Sequence, residues 1–160
     1  MKLKHILIII AAFLIPAMAS AQSSAFEKAA ELPDVKYIYL SKSMLSQLSG
    51  NDSIDNLSFN LGDITKRLNS LEVLTTNDNS SMEETIPILK GMVKKMDLIS
   101  QVKNNGVDIN MYGTKEKGKD IYSKLMCLYQ STERDLLFAV YMTGEIDVDD
   151  IKDLMNATTY

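Results

Sequence analysis

The chain of 160 residues carries 17 Lys and Arg against 21 Asp and Glu, a net charge of −4. That balance repels phosphate backbones and argues against nucleic-acid binding. One cysteine and one histidine leave no internal disulfide and no ligand stock for a histidine-built zinc site.

The chain opens with Lys2 and Lys4, an apolar run from His5 to Met18, and then Ala19-Ser20-Ala21. This basic, apolar and small-residue order is that of a cleavable export signal over residues 1–21, with an A-x-A cleavage site. The apolar stretch falls short of the roughly 20 residues that span a bilayer. Pro16 breaks a helix just ahead of the cut. Cleavage removes His5 and leaves residues 22–160 as a single domain. No later apolar run is long enough to cross a membrane, so no transmembrane segment is expected after cleavage. No Ser-His-Asp triad and no Cys-His pair then remain.

Residues 22–32 predict a short helix that Pro33-Asp34 breaks. Val35 to Leu40 is β-branched and aromatic and predicts a strand. Ser41 is placed to cap a helix carrying Met44, Leu45 and Leu48. After a loop at Gly50 to Ser53, Leu57, Leu61, Ile64 and Leu68 keep helical spacing, weakened by Gly62. Leu71 to Thr75 predicts a strand, and Asn77 to Ser81 a polar loop. Ile86, Leu89, Val93 and Met96 then predict a helix beginning near Glu84 or Thr85. That start puts Pro87 in the first turn and Lys94 and Lys95 in the last.

The second half changes character. Asp97–Lys103, Val107–Thr114, Asp120–Gln130 and Arg134–Glu145 predict an antiparallel meander of four strands. Asn105-Gly106 is a strong hairpin signal, because both residues accept positive φ. A short helix over Asp147 to Met155 closes the chain. The expected fold is α+β: a mainly antiparallel sheet with amphipathic helices packed on one face. The strands around Leu136–Met142 and Ile121–Tyr129 are apolar on both sides. A half-solvated sheet alternates instead, so both faces of these strands need cover, from the N-terminal arm, the last helix or another molecule.

Three segments carry a family resemblance: FEKAAELPDVKYIYLSKSML, MDLISQVKNNGVDINMYGTKEK and LMCLYQSTERDLLFAVYMTGEIDVDDIKDLM. Their order resembles domain of unknown function 4252, a family of small exported proteins of Bacteroidetes. The resemblance covers most of the mature chain. It implies export and a shared fold, and it brings no catalytic residues to carry over.

Several clusters invite a chemical reading. Glu145, Asp147, Asp149, Asp150 and Asp153 suggest calcium, but an EF-hand counted from Asp147 meets Lys152 and Thr158 where glycine and glutamate are required. The same residues suit a helix start, with Asp147 as cap and Asp149 and Asp150 in the first turn. Asp97, Asp108, Asp120 and Glu133 are acid–base candidates by residue type alone. Lys42 beside Ser41 and Ser43 lacks the S-x-x-K spacing of a Ser–Lys nucleophile. Cys127 reads as a small buried hydrophobe, and Met92, Met96, Met111 and Met126 as core filler or a pliable surface. Tyr37 and Tyr39 share one side of their strand. Tyr112, Tyr122 and Tyr141 are expected to share a sheet face. With Met126 these tyrosines form the candidate interaction surface, since tyrosine is enriched at binding surfaces. Asp52-Ser53-Ile54 resembles the O-glycosylation pattern of exported Bacteroidetes proteins and makes Ser53 a candidate acceptor.

The sequence therefore predicts a non-enzymatic binding module of the periplasm or cell surface, with no cofactor. Its partner is expected to be an envelope protein or a second copy of the chain. The alternatives are a carboxylate-dependent hydrolase and a component of an envelope signalling circuit.

Overall fold

The protein is described from a computed structural model over residues 23–48 and 62–157. The export signal, Leu57, Leu61 and the loop that contains Ser53 lie outside these residues.

The order of elements is α1 (Ser24–Ala30), β1 (Lys36–Ser41), α2 (Lys42–Leu48), a 3-10 turn (Gly62–Lys66), β2 (Leu68–Thr76), α3 (Asn79–Val93), β3 (Asp97–Asn104), β4 (Val107–Lys115), β5 (Ile121–Ser131), β6 (Leu136–Asp147) and α4 (Val148–Ala157). All six strands form one sheet in the order β1-β2-β6-β5-β4-β3, with every neighbour antiparallel. The α+β class and the late meander follow the sequence reading. Asn105 and Gly106 take φ of 43° and 75°, as the β3–β4 hairpin requires.

Helix starts follow local capping chemistry. Ser23 Oγ accepts from the Phe26 N–H at the head of α1, and Ser41 Oγ accepts from the Met44 N–H at the head of α2. Asp147 and Asp150 exchange hydrogen bonds between backbone N–H and carboxylate across the first turn of α4, a reciprocal capping pair. Arg67 then bridges Asp147 at 2.9 Å and Asp150 at 2.5 Å.

Two elements depart from expectation. Helix α3 begins at Asn79, because Asp78 accepts from the Ser81 N–H at 2.8 Å and caps it early. Pro87 therefore sits inside the helix, and Lys94 follows the last helical residue. The stripe ending at Leu68 is not continuous helix either. A 3-10 turn covers Gly62–Lys66, and Leu68 opens β2.

The sheet divides two apolar cores. On one face, Leu74, Met126, Leu128, Leu137, Ala139 and Tyr141 meet Phe26 and Ala29 of α1 and Met82, Leu89 and Val93 of α3. The longest helix and its companion thus pack together on this face. On the opposite face, Leu71, Val73, Met111, Leu125, Val140 and Met142 meet Leu45 of α2, Ile64 of the 3-10 turn and Ile151 of α4. Each fully buried Leu or Met here contributes roughly 1.5–3 kcal/mol. The pieces on this second face pack chiefly against β1, β2 and β6.

Candidate functional site

Directly opposed residues of an antiparallel sheet share a face. One such row crosses all six strands: Tyr39, Glu72, Tyr141, Met126, Tyr112 and Leu98. Four of the six predicted interaction residues stand in it. Glu72, which sequence reading passed over, stands between two of the tyrosines.

Glu72 has no exposed surface. The Tyr37 hydroxyl donates to its Oε2 at 2.8 Å, and the Ser23 backbone N–H donates to its Oε1 at 2.7 Å. Phe26 of α1 closes the cluster, with its ring centroid 6.2 Å from Tyr37 and 6.1 Å from Tyr141. Burial pushes the Glu72 carboxyl above the usual carboxylate range. The two donors oppose that shift, and the nearby charge of Glu27 adds to it. Burial also raises the Tyr37 phenol, reinforced by its bond to Glu72 and by the carboxylate charge. Tyr141 is raised by burial first and by Glu72 second. Among the described residues, no lysine or arginine forms an ion pair with Glu72.

A groove of about 740 Å³ opens beside this cluster, between α1 and α3. Ser23, Lys28, Pro87, Met92, Lys124 and Tyr141 line it, and Glu72 does not. The Ser23 hydroxyl donates to Met92 Sδ at 3.4 Å and ties the two helices together. The arrangement holds a charge or a proton at Glu72 and presents no oxygen of that carboxylate to a solute.

The structure redistributes the other predicted interaction residues. Met126 is fully buried and Tyr141 is 7% exposed, because α1 and α3 lie over their face. Neither forms part of an exposed surface. Tyr37 is half-buried and committed to Glu72. Tyr39 and Tyr112 are half-buried on the same face. Tyr122 does not share the face of Tyr112 and Tyr141: it packs against the opposite core. A register shift between Tyr122 and Lys124 turns its ring onto Gly113, where a Cβ would sit 2.5 Å from Cδ1.

Several of the remaining candidates have structural partners. Asp108 pairs with Lys103 at 3.6 Å and accepts from Asn110, and Asp120 pairs with Lys115 at 2.7 Å. Asp97 and Asp120 flank one end of the meander, and Asp108 and Glu133 the other. Asp149 pairs with Lys152, and Lys42 Nζ donates to Asn69 Oδ1 at 3.5 Å. Cys127 is half-buried, and burial pushes its thiol up to about 11, which leaves little thiolate at neutral pH.

A second feature lies on the face opposite Glu72. Val102, Ile109, Tyr129 and Phe138 form a cross-strand row on β3, β4, β5 and β6, and Ile38 stands on the same face of β1. Val102 is 47% and Ile38 46% exposed, and the other three are half-buried. The short pieces on this face gather near Leu40, Leu71 and Met142, toward the other end of the strands.

Fold and site together define a small α+β domain: one antiparallel sheet, a sealed carboxylate under its first helix, and a second face covered over part of its length. The chain belongs to a family known as a domain of unknown function (DUF4252), whose family model matches residues 26–154. No curated protein and no solved structure is significantly similar to it.

Proposed function

We propose that this protein is an exported, non-enzymatic interaction module of the cell envelope. It binds a protein partner through the incompletely covered half of its second sheet face. One observation carries the reading: the apolar row of Val102, Ile109, Tyr129 and Phe138 is exposed or half-exposed across β3 to β6, with Ile38 exposed on the same face of β1. Contiguous apolar surface of this kind marks interaction sites, and a tyrosine within it is a favoured anchor. The leader sequence supports export to the periplasm or cell surface. An envelope signalling circuit is one setting for such a module.

The hydrolase alternative draws less support. Its candidate acids are split between two ends of the sheet, and the one carboxylate buried among the described residues is closed to solutes.

The test is a photo-crosslinking amino acid placed at Val102 in the native host. A discrete adduct, either to one envelope protein or to a second copy of the chain, is the expected result. The same probe at Lys117, in the exposed β4–β5 turn, serves as control. Equal, diffuse labelling from both positions overturns the reading.

A further inference from the structure

We propose that a cleft between α3 and strands β3 to β5 is a binding site for one sugar ring that carries a carboxylate, a hexuronic acid unit. The cleft lies on the sheet face opposite the apolar row of Val102 and Phe138 and is independent of that interaction surface.

The cleft holds about 150 Å³. That is room for about five waters, or for one pyranose ring in their place. Its floor is apolar: Leu128 and Leu137 of the sheet meet Leu89 of α3, and all three are buried. Its rim is polar. On this face the apolar row of Leu74, Ala139 and Leu128 continues as Asn110 on β4 and Gln101 on β3. The neighbouring row passes from Leu137 to Gln130, Asp108 and Lys103. An apolar floor under a few fixed polar groups is the build of a small-molecule site. It suits a pyranose, which has an apolar C–H face and hydroxyls around its edge.

The polar groups are oriented before any ligand arrives. Gln101 Nε2 donates to Asn110 Oδ1 at 2.6 Å, and Asn110 Nδ2 donates to Asp108 Oδ1 at 2.8 Å. Lys103 pairs with Asp108 at 3.6 Å. An ionised carboxylate only accepts, so the bond to Asp108 fixes which way the Asn110 amide faces. Asn110 keeps a second N–H to donate, and Gln101 keeps its carbonyl to accept. Gln130 is half-buried opposite Asp108, and its side chain makes no hydrogen bond to another described residue. Donors and acceptors thus stand together on one rim, and a hydroxyl can serve as either partner.

Charge decides the substituent on the ring. Asp108 and Lys103 offset each other. Lys90 of α3 lines the same cleft and forms no ion pair among the described residues. One unpaired cation beside a set of hydroxyl partners fits a ring bearing a single carboxylate.

The test is a titration of the isotopically labelled protein with glucuronate and with galacturonate, followed by NMR at the side-chain amides of Gln101, Asn110 and Gln130. A saturable shift is expected with at least one of the two, with a dissociation constant on the order of 1 mM. The matching neutral sugar, glucose or galactose, is expected to bind about fivefold more weakly, and acetate to leave the signals in place. Lys90→Gln is expected to bring the uronate down to the level of the neutral sugar, and Gln130→Ala to weaken both. Neither side chain has a bonding partner among the described residues whose loss would disturb the fold. No saturable shift with either uronate, an equal response to acetate, or undiminished uronate binding by Lys90→Gln overturns the proposal.

Discussion

Glu72 shows how one side chain can be silent in sequence and dominant in structure. In Leu71-Glu72-Val73-Leu74 it occupies the polar slot of an alternating strand, which ordinarily faces water. Its burial is decided by α1, by Tyr37 and by Tyr141, which lie 35 or more positions away in the chain. Of the tyrosines expected to share a face, Tyr112 and Tyr141 do, with Tyr39 in the same row, and Tyr122 does not. The placing of Tyr37 and Tyr141 beside a buried carboxylate, rather than on a surface, was not legible, because it depends on which helix covers that face. A pH prediction follows for Glu72. The folded Glu72 carboxyl is raised above its unfolded value. Stability from this group is therefore complete below the unfolded value, near 4.3, and falls as pH rises through the folded one. Glu72→Gln retains an acceptor for the Ser23 N–H and is expected to flatten that decline. Urea midpoints between pH 4 and 8 check it. Asp147 works in the opposite sense. The Asp150 N–H holds its carboxyl below the usual range, so its contribution is present above the unfolded value and is lost on acidification.

At the scale of elements, local signals specified the late strands well. The Asn105-Gly106 turn and the two-sided apolar runs placed β3 to β6 within a residue or two. The middle of the chain was less legible. Apolar spacing across Ile64 and Leu68 fits a helix as well as it fits a turn followed by a strand. Pairing of Leu68 with Gly144 decides the matter, since only the sheet partner distinguishes the two. Helix α3 was placed too late because Asn79, Ser80 and Ser81 favour loops, while the Asp78 cap outweighs them. The β2–β6 junction also explains a glycine. Gly144 has φ of 145°, and a Cβ there would lie 2.5 Å from the Arg67 carbonyl oxygen. Gly144→Ala is expected to destabilise the domain by at least about 2 kcal/mol, through both the backbone angle and the clash with another backbone atom. Chemical denaturation measures this directly.

At the scale of the molecule, both sides of the sheet carry a core, and β6 contributes to each: Leu137, Ala139 and Tyr141 to one, Val140 and Met142 to the other. It also joins β2 to β5 at the centre of the sheet. A chain ending at Arg134 retains five strands but loses the one that unites them, and is expected to show no cooperative thermal transition by circular dichroism. The central strand also comes after the other five in the chain. Its long-range pairing with β2 cannot form until all of them have been made, and closure over such distances is slow. A newly made copy consequently stays open while it emerges. Assembly is thus gated by the last strand in line: hairpins made earlier wait, unclosed, for the one that joins them.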